Sequence, residues 1–343
     1  MPRASELDRR TGRTNGRGFS YRLGCGLLAI GVLLPLLAVL PAARVQAAPV
    51  VPFAPRFSTN DNGAIALFGN NLMTCPDTNG SCAGARAATN NVNNNSFVMR
   101  MLDVDGEPDT FNSSASQVDL PAGSTVLWAG LYWGARLQGD VNANDATTPS
   151  NQMLFRIPGG DYQPISSDAS FGPTAGDGAY QEFADVTGLV SSAGSGAYWA
   201  ANVAAARGND RYAGWSLIVA YRSPDLPLRN LTVFDGFNDV GQGNPQTITI
   251  SGFRAPATGP VGVQLGMVAY EGDRGTSGDQ AQLNATQLST PTSSGTNSST
   301  APPTTTGFTS CSAHLPTAAC WGSTSSGSVP PASPTMRRRP ASP

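Results

Sequence analysis

The chain has 343 residues, with 21 basic and 23 acidic side chains, one histidine and a formal net charge of −2. Every basic residue is an arginine and the histidine is His314, so residues 48–288 cannot hold a P-loop, a Schiff-base lysine, a Ser-His-Asp or Cys-His arrangement, or a His-ligated zinc. Lys–Asn isopeptide cross-links are excluded too, and paired carboxylates remain as the catalytic option. Charge is segregated: seven Arg and two acids up to Ala47, 11 Arg and 21 acids over 48–288, and three Arg with no acid after that. An acidic body argues against nucleic acid as a partner, because phosphate binding needs clustered basic residues.

Leu23 to Leu40 is an uncharged apolar run. Arg3, Arg9, Arg10, Arg13, Arg17 and Arg22 precede it, and Val45-Gln46-Ala47 offers small residues at the −3 and −1 positions of a cut. Segment 1–47 therefore reads as a signal peptide cleaved after Ala47, which makes the protein secreted or cell-surface. The alternative is a retained membrane helix over 23–40, since roughly 20 apolar residues span a bilayer and about 17 suffice. In both cases the basic end stays inside, and the membrane is met only through this segment.

In the body, Cys75 and Cys82 bracket a polar turn with six residues between them. In an oxidising compartment they are expected to form a local disulfide, with free thiols as the alternative. Asn90 to Asn95 reads as a polar loop. Asp103, Asp105, Glu107 and Asp109 then alternate after the strand-like Phe97 to Met101. Acidic turns supply the oxygen ligands that Ca²⁺ requires, so these four are the candidate metal ligands. Gly106 is not at the sixth position and no Glu stands at the twelfth, so this is no EF-hand, and a plain acidic hairpin turn is the competing reading.

Ser124 to Trp133 is rich in β-branched and aromatic residues, and both of its faces at period two are apolar. That pattern predicts a central strand buried between two layers. Trp215 to Tyr221, Leu231 to Phe234, Thr247 to Ile250 and Val261 to Tyr270 read as further strands. The best helix candidate is short, Phe183 to Ser192, with Gly188 interrupting it. Tyr198 and Trp199, beside Gly194 and Gly196, are the candidate exposed ligand-stacking pair. Trp128, Tyr132, Trp133 and Trp215 lie in apolar runs and are assigned to the core. Two further acidic turns, Asp235 to Asp239 and Glu271 to Asp279, are placed where loops could meet the first one.

Many short strands without helical alternation predict an all-β fold, an antiparallel β-sandwich of jelly-roll type with long polar loops. Residues 48–288 are expected to form one domain, with two packed β-subdomains as the alternative. Residues 289–343, dominated by Ser, Thr, Pro and Gly, are expected to be a disordered low-complexity tail. Cys311 and Cys320 are a second candidate pair there. A shifted reading frame past about residue 288 is the other explanation of this segment's composition.

Several runs carry a family resemblance. They include Leu72-Met73-Thr74-Cys75, Asp103-Val104-Asp105 leading to Thr110-Phe111-Asn112-Ser113-Ser114, and Ala129-Gly130-Leu131-Tyr132-Trp133-Gly134. Phe183-Ala184-Asp185-Val186-Thr187, Ala213-Gly214-Trp215-Ser216-Leu217 and Arg229 to Phe237 follow in order. The span from Phe57 to Leu288 resembles the N-terminal β-rich domain of large secreted bacterial surface proteins that continue into Ig-like conserved repeats of unknown function. The resemblance implies an extracellular, adhesive or structural β-protein without catalytic residues. No such repeats follow Leu288, which fits a truncated or frame-shifted relative.

Together these readings give an exported adhesive or structural domain that binds cell-envelope, matrix or glycan components through its end loops, with Ca²⁺ as the one candidate cofactor. A carbohydrate-binding module using Tyr198 and Trp199 is the alternative. A secreted carboxylate-pair hydrolase is the third reading.

Overall fold

The computed structural model describes residues 51–87, 89–90, 92, 94–138, 148–174, 178–238, 245–252, 262–270 and 282–283, with backbone alone at 286–287, 307–314 and 317–322. The leader, including 23–40 and its cleavage site, lies outside the described residues, as does the acidic turn 271–279. Among the described residues no helix is long and apolar enough to cross a membrane.

The fold is all-β, antiparallel and sandwich-like, as its sequence pattern predicts. It opens with β1, Val51–Asn71, a 21-residue strand that serves two neighbours. Short strands β2 (Met73–Thr74) and β3 (Arg100–Met101) pair with each other around the helix α1, Cys82–Arg86. Then come β4 (Ser113–Val118), β5 (Thr125–Arg136), β6 (Gln152–Arg156), β7 (Gln163–Ser166), β8 (Ala169–Phe171) and β9 (Ala179–Asp185). Helix α2 (Thr187–Ala193) precedes β10 (Gly196–Ala201), β11 (Ala213–Arg222) and β12 (Leu228–Phe237).

Six strands form a curled sheet in the order β12-β1-β11-β5-β9-β8. The first half of β1 pairs with β12 and the second half with β11. The register shifts near Pro55, as expected where a residue without an N–H sits in a sheet. Gly63 stands where β1 changes partner. A Cβ there would meet the Tyr221 carbonyl oxygen at 2.0 Å, so only glycine permits this close strand approach.

The second sheet has the order β4-β10-β6-β7. Its inward residues Val118, Met153, Phe155, Tyr198 and Ala200 pack against Leu131, Trp133, Trp215 and Leu217 of the curled sheet. Trp215 donates its indole N–H to Ser114 Oγ at 2.9 Å, and Trp133 donates to the Ser150 carbonyl at 2.8 Å. Both large aromatics thus bury their rings without orphaning a donor.

The opposite face of the curled sheet carries a second apolar cluster: Trp128, Tyr132, Phe171, Phe183, Ile218, Val233 and Phe237. The two-faced apolar pattern of Ser124 to Trp133 therefore reports what β5 does, since Ala129, Leu131 and Trp133 enter one core and Trp128 and Tyr132 the other. Strand β13 (Gly262–Ala269) contributes Val268 to this second cluster.

Local readings fare unevenly. Phe183 to Asp185, read as the start of a helix, closes strand β9, and the helix begins only at Thr187. Asp185 accepts the Thr187 N–H at 2.9 Å and marks the change. Thr247 to Ile250 forms no strand: the alternation is present, but Ile248 is exposed. A small hairpin joins β14 (Gln282–Leu283) and β15 (Thr286–Gln287). Inside the segment read as a disordered tail, β16 (Gly307–His314) pairs with β13 and with β17 (Thr317–Gly322). The β16–β17 register sets Cys311 opposite Cys320. Polar, small-residue strands can be held in this way by pairing to an apolar strand, a contact that composition alone does not show.

Cys75 and Cys82 form the expected disulfide, and both are buried. Arg86 locks the loop: it donates to Thr74 Oγ1 at 2.8 Å, to the Cys75 carbonyl at 2.7 Å and to Asp77 at 2.6 Å. Together Arg86 and Arg100 hold the Asp77 carboxyl below its ordinary range.

Candidate functional site

Strand alternation decides which side chains of the second sheet face outward. Tyr198 and Trp199 are adjacent in β10, so they point to opposite faces. Tyr198 is 0 % exposed, packs tilted against Phe155 and donates its hydroxyl to the Gly194 carbonyl at 2.7 Å. Burial pushes its hydroxyl pKa up to about 12. The expected exposed pair is thus corrected: Tyr198 is core, and Trp199 alone stays half-buried on the outer face.

In β6 the same alternation buries Met153 and Phe155 and turns Arg156 outward. The register places Arg156 directly across from Trp199. After β6 the chain turns through Pro158-Gly159-Gly160, with Gly159 at φ +73°, a conformation glycine adopts without steric cost. The Gly160 N–H closes the turn on the Ile157 carbonyl at 3.1 Å. This brings Tyr162 back over Arg156, whose guanidinium carbon lies 4.4 Å from the Tyr162 ring centroid and 4.7 Å from that of Trp199. One cation lies against two aromatic rings, a contact suited to the planar guanidinium.

The Tyr162 hydroxyl donates to Asp105 and so joins the aromatic stack to the acidic loop. Asp105 also accepts from the Thr110 hydroxyl at 2.9 Å and the Glu107 N–H at 3.1 Å. Partial burial pushes this carboxyl up, but the hydrogen bonds from Tyr162, Glu107 and Thr110 lead the contributions that hold it below the usual range. Burial and the Asp105 carboxylate raise the Tyr162 hydroxyl far above an ordinary tyrosine, so it remains a donor. Ser113 donates to Asp103 at 2.8 Å and accepts the N–H groups of Val104 and Asp105. The loop is pinned from behind: the Phe111 N–H bonds Asn202 Oδ1 at 2.8 Å, and Asn112 bonds both the N–H and the carbonyl of Val203.

The four carboxylates expected as Ca²⁺ ligands are not brought together here. Asp103 and Asp105 turn onto hydroxyl and N–H donors, while Glu107 and Asp109 are exposed and do not converge with them. Among the described residues no three His, Cys, Asp or Glu side chains are placed to hold a metal ion. The alternating carboxylates have the right composition for a hard cation, but each loop turn spends its oxygens on local protein donors instead.

Asp235, read as part of an acidic end turn, lies within β12 and is 7 % exposed. It accepts Arg56 Nε at 2.6 Å and the Tyr132 hydroxyl at 3.2 Å. The Arg56 guanidinium carbon also sits 4.5 Å from the Phe183 ring centroid. Trp128, Tyr132, Trp133 and Trp215 are buried, as assigned.

The sequence reading missed Arg156 and Tyr162. Their signal was available in part: Gln152 to Arg156 alternates with Met153 and Phe155 inward, and Pro-Gly-Gly announces the turn. Their neighbours Trp199 and Asp105 are set by long-range register, which no local window contains.

The chain matches no family model, no curated protein and no solved structure.

Proposed function

We propose that residues 48–288 form an exported recognition domain, an adhesive or structural β-domain that binds a partner at the cell surface and does no chemistry on it. The observation that carries this reading is the stack of Tyr162, Arg156 and Trp199 beside the acidic loop. Among the described residues it is the place where a cation, two aromatic rings and carboxylates share one outward face, the combination that binding surfaces use for orientation and contact area. Five other described arginines, Arg56, Arg86, Arg100, Arg136 and Arg222, are tied to aspartates as struts. The basic leader and apolar run support export, and the disulfide agrees with an oxidising compartment. The resemblance to N-terminal domains of bacterial surface proteins supports the same role.

Two experiments test it. N-terminal sequencing of the exported protein should begin at Ala48; a protein retained with Met1 in the cytoplasm contradicts export. The full exported chain should be retained on isolated cell envelopes, with retention falling at least tenfold in Arg156→Ala at an unchanged unfolding midpoint. Equal retention of the variant removes this face from the function.

A further inference from the structure

We infer that the ligand of the Trp199–Arg156–Tyr162 face is a neutral, hydroxyl-rich glycan, bound with a sugar ring against the aromatic wall. This rests on the recognition reading above.

The first support is the state of Arg156. Two aromatic rings lie against its guanidinium, at 4.4 and 4.7 Å. Its in-plane N–H groups make no hydrogen bond or ion pair among the described residues. Guanidinium donors leave in the plane of the group, so the stack fixes their direction and leaves the fork unspent. Arg156 is half-buried, and an incoming acceptor can take its open donors without displacing a protein partner. Little side-chain entropy remains to be lost on binding, because the two rings already restrict the arginine.

The second support is the flank. Trp199 has Arg156 on one side in the sheet, and its cross-strand neighbour on the other side is Ala115, a single methyl group. An indole beside a small residue presents a flat apolar surface, and the C–H face of a pyranose is flat and apolar as well.

The third support is charge. Against one arginine stand Asp105 and Asp103, the latter near enough to act on the Tyr162 hydroxyl. The local field is therefore net negative and repels uronates, sulfates and phosphates. Sugar hydroxyls suit it because each can accept from Arg156 and donate to a carboxylate. Asp105 already accepts from three protein donors, which leaves the exposed Asp103 as the carboxylate with capacity to spare.

The test uses the full exported chain in affinity electrophoresis through gels containing a neutral β-glucan, a galactan or a mannan, with polygalacturonate and heparin as anionic arms. At least one neutral polysaccharide should retard the wild-type protein. Trp199→Ala and Arg156→Ala should each weaken retardation at least tenfold, and Arg156→Lys should not restore it, because an ammonium lacks the planar fork. Trp199→Phe, which keeps a smaller ring, should retain an intermediate affinity and guards against a folding artefact. Retardation by the anionic polymers alone overturns the inference, as does neutral-glycan binding that all three Ala and Lys variants keep. If no glycan retards the protein while envelope retention still depends on Arg156 and survives glycosidase treatment of the envelopes, the ligand is a protein: the recognition reading stands and the glycan is wrong. If the wild type binds neither envelopes nor glycans, both fail.

Discussion

Two clusters in this molecule are built from the same parts and do opposite things. In one, Arg56 lies over Phe183, Asp235 accepts from Arg56, and the Tyr132 hydroxyl also points at Asp235. In the other, Arg156 lies against both Tyr162 and Trp199, and the Tyr162 hydroxyl points at Asp105. Each has an arginine, aromatic rings, a tyrosine hydroxyl and an aspartate. The difference is whether cation and anion meet. Arg56 and Asp235 are bonded, and the cluster is closed. Arg156 is held by rings alone while the loop satisfies Asp105, so the cation stays available. Composition does not separate a closed cluster from an open one here; connectivity does.

The comparison can be broken most forcefully at the closed cluster. Asp235→Ala strands Arg56 beside an apolar face and removes the acceptor of Tyr132. Breaking a buried pair costs about 3–5 kcal/mol, and the partial exposure of Arg56 brings the expected loss to roughly 2–3 kcal/mol in urea unfolding. Envelope and glycan binding of the folded fraction should be unchanged. A loss under about 0.5 kcal/mol would show that the pair is no strut.

Removing the disulfide by a Cys75→Ala, Cys82→Ala double change should cost about 2 kcal/mol, since the loop it closes is short. Binding should again be untouched, because α1 and its loop contribute nothing to the recognition face. Tyr198→Phe keeps the ring in the core and deletes only the bond to Gly194, for an expected loss of about 1 kcal/mol. An unchanged midpoint would mean that this hydroxyl is not holding the entry to β10.

The smallest effect concerns acid. The Asp105 carboxyl is held below its ordinary range when folded, so its contribution to stability is complete above the unfolded value and is lost as pH falls toward the folded one. Unfolding free energies measured from pH 6 down to pH 2.5 should therefore decline more steeply in the wild type than in Asp105→Asn. Parallel acid limbs would indicate that the loop's hydrogen bonds do not favour the charged form.

The sequence carried those parts of the fold that depend on local pattern. The two apolar faces of β5, the strand runs of β11 and β13, and the Cys75–Cys82 loop were all legible because each signal sits in a window of a dozen residues. Thr247 to Ile250 shows the limit: the alternation is as good as any, yet the segment forms no strand. The site was legible in halves. Trp199 and Asp105 were named for separate reasons, one as an aromatic and one as a metal ligand. Their connection runs through Arg156 and Tyr162, and it exists only because β6 pairs with β10 and the following turn folds back. Tyr198 was misplaced although strand parity alone would have set it opposite Trp199. The hydrogen bonds from Ser113 and Thr110 to Asp103 and Asp105 are not legible, because both donors look like ordinary turn residues in sequence.

The most direct test of the open cluster is the shift in unfolding midpoint on adding the neutral polysaccharide that retards the protein, measured side by side for wild type and Arg156→Ala. A ligand that binds only the folded state raises the midpoint, and 100-fold excess over the dissociation constant is worth about 2.7 kcal/mol. The wild-type midpoint should rise by several degrees and that of Arg156→Ala should stay where it is. Equal rises in both proteins, or none in either, would contradict the assignment of this face as the binding site.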